Sequence, residues 1–357
     1  MRLLKTYQKH IHIINPQGLG DLVMMFPLLR HLSETSPQKI SLSVKSQAEA
    51  DIVQLFFPSI RSKDIICVSP FKTSLNPIAG FIKYIRSIQK LSPEIVLSCF
   101  SVHPMLASLT AFLSMANVRI GFKSRWDFLN TTTVELESEK HKVFQYLKLL
   151  EPLTGKLKKE HLFCSFTIHP DPWKIVTDLL KKHNVSITTD RIIGIAPGSG
   201  DAEKHKRWPW EKYAALIDHI LTHSNVCVVI MGSSQERSLS ENIVKSLQNK
   251  RSVVDLTGKT SIIETVHLLR LCHVIVANCN GLSHLAGAVG TKVIGLYGPT
   301  DPFFTGVFSS DVTIIRKEMH CAPCYCRENI TGCDHPTCMT DISVSEVTEA
   351  VTKVLSW

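Results

Sequence analysis

The segment His273 to Pro302, HVIVANCNGLSHLAGAVGTKVIGLYGPTDP, admits few folds. Val274 to Ala277 is an unbroken apolar run, as a strand covered on both faces requires. Asn278, Cys279, Asn280 and Gly281 interrupt it, and Asn280 can cap a helix running through Ser283, His284, Leu285 and Ala288. Gly290 ends that helix and Val293 to Tyr297 begin the next strand. A strand, an Asn-Gly turn and a helix N-terminus make an anion site at the carboxyl edge of a sheet, and His284 in the first turn can donate to a phosphate oxygen. The plainer alternative is a βαβ unit with a surface histidine.

The same alternation runs through the chain and predicts a parallel α/β sheet, twice over. In the first half, strands are expected at 11–15, 40–44, 65–68, 95–99 and 119–122, the last as an exposed strand end. Helices are expected from Asp21 to Leu32, interrupted by Pro27, and at 48–57 and 78–91. Residues 95–118 read as a strand plus a buried helix. In the second half, strands are expected at 192–196, 226–231 and 253–256, with helices at 211–222, 235–247 and 262–271. Between the halves the rhythm falters, and His169-Pro170-Asp171-Pro172 is the candidate linker. The expected domains are 1–168 and 169–357, two doubly wound units facing a central cleft.

A chain of 357 residues, 44% hydrophobic and 20% charged, has the composition of a globular protein with substantial cores. Its net charge of +9 suits an anionic partner: nucleic acid, an acidic membrane surface or a phosphorylated substrate. Nucleic acid is disfavoured, because the basic residues are scattered and no recognition helix or aromatic-basic platform is evident. MRLLKTYQKH lacks the long apolar core of a signal peptide, and no stretch reads as a membrane span, so a cytoplasmic location is expected. Six of the eleven cysteines lie singly in apolar segments, as small core residues do in a reducing compartment. The other five, Cys321, Cys324, Cys326, Cys333 and Cys338, have a spacing that permits structural zinc, a redox-labile cluster or plain thiols.

Two nucleotide fingerprints fail. Gly18 and Gly20 begin a G-x-G-x-x-G pattern, but its third glycine is Val23. Gly258-Lys259-Thr260 ends like a phosphate loop, but its first glycine would be Val253. Other residues read better. Asp21 follows Gly18-Leu19-Gly20 at a strand-to-helix turn, where a carboxylate can act as a general base or merely cap the helix, and the glycines let a substrate approach the backbone. The loop Pro197 to Pro209 supplies Ser199, Lys204, Lys206 and Arg207, a hydroxyl and cations suited to a diphosphate or to solvent. Glu236 can bind ribose hydroxyls or lie on a helix surface.

Several blocks taken together resemble glycosyltransferase family 9, the lipopolysaccharide heptosyltransferases. They are Gly18-Leu19-Gly20-Asp21, Arg119-Ile120-Gly121-Phe122, Pro197-Gly198-Ser199, Lys206-Arg207-Trp208-Pro209 and Leu256 to Ser261. Gly281-Leu282-Ser283-His284-Leu285-Ala286 and Leu296-Tyr297-Gly298-Pro299-Thr300-Asp301-Pro302 are the most specific. The resemblance implies a GT-B fold, with the acceptor on the first Rossmann-like domain and the donor on the second. It implies inverting transfer from a nucleotide-diphosphate sugar, typically ADP-heptose, to a lipid-linked oligosaccharide core. On that basis Asp21 is the base, Lys206 and Ser199 contact phosphate, Glu236 binds ribose, and Gly281 and His284 form the pyrophosphate turn, where Asn280 can cap the helix and donate a hydrogen bond to the donor. No metal or other cofactor is expected, and the positive charge would hold the protein against an anionic membrane surface. Where the family usually has Asp-Thr before the glycine of this turn, this chain has Cys279-Asn280. That difference motivates an alternative: a nucleotide-sugar-binding scaffold with altered donor or lost turnover.

Overall fold

The structure is a computed structural model that describes residues 9–15, 17–35, 39–69, 76–99, 104–137, 139–155, 166, 168, 172–182, 191–324, 333 and 335–355. Its internal contacts divide the chain into two compact units, residues 1–162 and 163–357. Of the expected linker, residues 169–171 lie outside the described residues, and Pro172 opens the helix Pro172–Lys182.

The first unit is one six-stranded parallel sheet. Its strands are β1 (His10–Ile14), β2 (Lys39–Val44), β3 (Ile65–Cys67), β4 (Ile95–Ser98), β5 (Val118–Phe122) and β6 (Thr132–Val134), in the order β3-β2-β1-β4-β5-β6. β1 is buried along its whole length, although two of its five residues are histidines. His12 is accommodated by Ser41 and Ser43, whose hydroxyls lie 2.8 and 2.9 Å from its ring nitrogens. Burial, followed by the neighbouring His10 charge, pushes its pKa down to about 3, so the ring is neutral.

Three expectations here need correction. The helix after β1 starts at Leu19, not Asp21, with Gly18 as its N-cap, and stops at Met24. A second helix, Phe26–Thr35, follows with Pro27 in its first turn, where the missing N–H costs nothing. The helix expected to be buried, Pro104–Leu113, buries Ala107, Ser108, Thr110 and Ala111 but leaves Met105, Leu106 and Phe112 exposed. Moreover β5 is an interior strand between β4 and β6, not an exposed end.

The second unit repeats the plan with β7 (Ile192–Ala196), β8 (Cys227–Ile230), β9 (Val253–Asp255), β10 (Cys272–Asn278), β11 (Lys292–Tyr297) and β12 (Val312–Arg316). The order is β12-β11-β10-β7-β8-β9, all parallel. Counted from each unit's own first strand, both sheets spell 3-2-1-4-5-6, the doubly wound order. One sheet face packs Ile193, Ile195, Val274 and Val276 against Tyr213, Leu216 and Ile217 of the helix Trp210–His223, and against Val347 and Val351 of the helix Val344–Leu355. Gly290, at φ +83°, ends the helix Gly281–Ala288 in the left-handed conformation that glycine adopts most cheaply. No helix among the described residues is long and apolar enough to cross a membrane.

In such an order the chain leaves strands 1 and 4 toward opposite faces, and a crevice opens at their carboxyl ends. That places the chain after β1 and β4 at the switch point of the first unit, and the chain after β7 and β10 at that of the second. The switch points depend on the central strands. Ile275 is fully buried in β10 between β7 and β11. Ile275→Ala should therefore lower unfolding stability by about 2–5 kcal/mol in urea titration.

Candidate active site

Asp21 sits in the first turn of the helix Leu19–Met24, three residues past the Gly18 cap, so it is not the capping residue. Its Oδ1 is ion-paired with Lys142 Nζ and accepts the Tyr146 hydroxyl at 3.2 Å. Lys142 and Tyr146 lie one turn apart on the helix Lys142–Lys148, so one helix face presents both donors. Burial, and then the charge of Asp21, holds the Tyr146 phenol well above its ordinary range, which keeps it a donor. Asp21 Oδ2 has no protein partner among the described residues, and the side chain is 23% exposed. Gly18 has an ordinary φ of −82°, and a Cβ there would meet nothing within 4 Å. Gly20 is the second residue of the same helix.

Two further polar groups belong to this edge. Asn15, directly after β1, is buried, and neither its Oδ1 nor its Nδ2 has a hydrogen-bond partner among the described residues. Glu49, in the first turn of the helix Gln47–Phe56 after β2, is buried and accepts the Lys45 N–H at 2.6 Å. Burial pushes its pKa up to about 7 against the pull of Lys45, and the negative charge of Asp21 adds to the rise.

In the second unit the switch point is organised by amides. Asn278, the last residue of β10, is fully buried. Its Oδ1 accepts Trp208 N and the Tyr213 hydroxyl, both at 3.0 Å, and its Nδ2 donates to the Pro197 carbonyl at 2.7 Å. Asn280 caps the helix Gly281–Ala288 through Ser283 N at 3.0 Å and donates from Nδ2 to the Gly198 carbonyl at 2.8 Å. The helix N-terminus and the loop after β7 are thereby tied side by side. Gly281 is the first helical residue, and His284 is buried one turn in.

Glu236, in a 3₁₀ turn beyond β8, closes over the same loop: its Oε1 accepts Gly200 N at 3.2 Å and its Oε2 accepts Ser233 N at 2.8 Å. A Cβ at Gly198 would lie 1.7 Å from Glu236 Oε1, so only glycine fits beneath this carboxylate. Ser199 Oγ donates to the Glu203 carbonyl at 2.7 Å and accepts Arg207 Nε at 3.2 Å. Lys206, only 5% exposed, is ion-paired with Glu203 at 2.7 Å. Thr257 and Thr300, buried after β9 and β11, have hydroxyls with no hydrogen-bond partner among the described residues.

The structure thus gathers Ser199, Glu236 and Asn280 around Gly198 and Gly200, with Lys206 on the same loop, and puts Asp21, Gly18 and Gly20 at the other unit's switch point. Sequence reasoning missed Lys142, Tyr146, Asn278 and the unpaired Asn15. The last two carried a signal, a polar side chain directly ending a buried apolar strand. Of the tail cysteines, Cys338 is buried in the core while Cys321, Cys324 and Cys333 are exposed. Cys326 lies outside the described residues, among which no group of three or more potential metal ligands occurs.

A family model for glycosyltransferase family 9 (heptosyltransferase) matches residues 105–335. The chain is 34% identical to lipooligosaccharide heptosyltransferase 2 of Haemophilus influenzae over 152 residues, which is 42% of this chain and 43% of that protein. That alignment therefore spans less than half of the relative. Over a longer alignment it is 26% identical to lipooligosaccharide heptosyltransferase 2 of Haemophilus ducreyi, covering 86% of this chain and 88% of the other. Among solved structures, E. coli ADP-heptose LPS heptosyltransferase II matches with a TM-score of 0.77 at 22% identity, over 97% of this chain and 98% of that one. That likeness identifies the fold as GT-B.

Two predictions follow from this geometry. Ala at position 198 must displace Glu236 and should cost about 1–3 kcal/mol in thermal or urea unfolding, whereas Gly18→Ala should leave stability within about 1 kcal/mol. The second concerns Glu49, whose pKa rises from 4.5 unfolded to about 7 folded. Between those values the unfolded chain has released a proton the folded chain still holds, so stability falls as pH rises. His12 has the opposite sign, since its lowered pKa removes stability as pH falls. The difference between wild type and Glu49→Gln isolates Glu49. In urea titrations the variant should gain up to about 3 kcal/mol on the wild type as pH passes upward through that window.

Proposed function

The chain belongs to glycosyltransferase family 9, the heptosyltransferases, and from that membership we propose that it is an inverting sugar transferase. In this reading it moves a heptose, or a related sugar, from a nucleotide-diphosphate sugar, ADP-heptose foremost, to a lipopolysaccharide core or similar surface-glycan acceptor. The observation that carries the reading is Asp21: a carboxylate at a switch point, with one oxygen held by Lys142 and Tyr146 and the other without a protein partner among the described residues. A base must be fixed in place while keeping one oxygen for the proton it takes. Asp21 Oδ2 removes the proton from the acceptor hydroxyl, and the oxygen attacks the anomeric carbon from the face opposite the diphosphate. The open space around Gly18 admits the acceptor.

The donor belongs, on this reading, to residues 169–357, and the acceptor to residues 1–168. Glu236 receives the ribose hydroxyls. The diphosphate lies on the first amides of the helix Gly281–Ala288, against Ser199, Lys206 and His284, with Asn280 holding the turn in shape. Lys206 shares its charge between Glu203 and a phosphate oxygen as the leaving group gains charge. The reading assigns no role to a metal ion. A lipid-linked acceptor implies work at the cytoplasmic face of an anionic membrane, without nucleic acid.

The test is transfer itself. The purified chain is incubated with ADP-heptose and heptose-deficient lipopolysaccharide core, and product is followed by mass spectrometry. Wild type should add one heptose, and Asp21→Asn should be slower by at least about 10²-fold while binding ADP with unchanged affinity. Because Cys279 replaces a carboxylate at the donor turn, a second reading stands beside the first: a nucleotide-sugar-binding protein without turnover. ADP binding by the wild type, with no transfer from any of a panel of nucleotide sugars, would select it.

A further inference from the structure

Seven of the ten exposed large hydrophobic side chains among the described residues lie in the first unit, although it is the smaller of the two. Single exposed apolar side chains are ordinary, but a contiguous group is not. Met105 and Leu106, in the first turn of the helix Pro104–Leu113, form with Pro104, Ser124, Arg125 and Trp126 a groove of about 470 Å³. Phe128, 70% exposed, sets its ring 6.0 Å from that of Trp126. The Arg125 guanidinium lies 5.9 Å from the Trp126 ring centroid on the same patch. The helix Pro77–Leu91, tied to Pro104–Leu113 by Gln89 Nε2 donating to the Leu113 carbonyl at 2.8 Å, exposes Ile78 and Ile82.

The segments that supply this patch are basic in sequence. Residues 77–91 and 104–131 carry Lys83, Arg86, Lys90, Arg119, Lys123 and Arg125 against the single carboxylate Asp127, although Lys123 also pairs with Glu135 at 2.7 Å. Position follows from topology. The helix Pro104–Leu113 departs after β4 and the segment 123–131 after β5, so the groove lies at the carboxyl edge of a parallel sheet. Asp21 leaves the same edge after β1.

We propose that this edge of the first unit is the surface by which the protein docks on an anionic phospholipid bilayer. Met105, Leu106, Trp126 and Phe128 enter the boundary between headgroups and acyl chains, while Arg125, in the groove lining, meets lipid phosphates. Aromatic rings with a polar or cationic neighbour suit that boundary, where one side is apolar and the other wet. A cation set among the apolar side chains, together with the basic segments that carry them, draws the protein to a negative surface and adds to the apolar term. The proposal rests on the reading that the acceptor is lipid-linked, and it sets Asp21 at the edge that faces that acceptor.

The test uses the full chain and phosphatidylcholine vesicles with or without about 30 mol% phosphatidylglycerol, a share typical of anionic surfaces. Wild type should cosediment with the anionic vesicles and stay in solution with phosphatidylcholine alone. Phe128→Asp and Met105→Asp, both at exposed positions, should each weaken cosedimentation about tenfold, and Arg125→Glu by a similar factor. The same variants should transfer sugar to a delipidated, soluble core oligosaccharide at the wild-type rate but slow on vesicle-borne acceptor in step with lost binding. Equal cosedimentation of wild type and variants would overturn the proposal. So would wild-type self-association in sedimentation equilibrium that these variants abolish, which makes the patch an interface between copies. Vesicle binding needs no turnover, so failure of the transfer reading and failure of the docking face register in separate arms.

Discussion

One buried amide fixes the geometry on which the second unit's site depends. Asn278 ends β10 fully buried, and a buried side-chain amide needs hydrogen-bond partners. They come from the loop after β7, through the Pro197 carbonyl and Trp208 N, and from the helix behind it, through Tyr213. A low local dielectric strengthens each bond, and leaving any one of the groups unpaired would cost about 1–3 kcal/mol. The loop 197–209 therefore cannot slide along the sheet edge. That places the Gly198 carbonyl against Asn280 and the Gly198 Cα against Glu236. Three polar side chains from two strand ends, those of β10 and β8, converge on one glycine because one of them is buried and fully bonded.

The local parts of this arrangement were legible in the sequence, and the long-range parts were not. Strands buried on both faces read as apolar runs, and the strand 192–196 and the helix 262–271 have the expected limits to the residue. The edge strands β6 and β12 went unread because one is three residues long and the other is half-exposed, so neither carries a continuous apolar run. Asn280 as a cap and Gly290 as a stop were legible because both act within one turn. Asp21 could be singled out from its flanking glycines, but not its partners: Lys142 is 121 residues away, and only the packing of two helices brings it there. Likewise nothing in the pattern around Met105 and Phe112 told a buried helix from one that exposes its apolar side chains, because both are apolar throughout.

The two units use one topology to opposite electrostatic ends. At the first switch point the fixed group is a carboxylate, and the protein supplies a cation and a phenol to hold one of its oxygens. At the second the fixed groups are helix amides and the cations Lys204, Lys206 and Arg207, answered by Glu203 and Glu236. Glu203 takes Lys206, and Glu236 accepts from backbone and serine donors, so both carboxylates also order the loop. A base must be negative before the reaction, and a leaving-group site must remain electropositive as charge develops.

Cys279 matters in those terms. It is buried at the turn between Asn278 and the Asn280 cap, directly before a helix N-terminus. An aspartate at that position would put a second anion beside the partial positive charge of the helix and share it with any diphosphate. With cysteine there, the helix terminus and Lys206 face a ligand without that competitor. The fold of the turn does not need the carboxylate, because Asn280 and Ser283 complete the capping box and Asn278 secures the strand end. On the proposed reading, the substitution therefore falls on the charge offered to the donor, while the backbone proposed to hold the diphosphate keeps its shape.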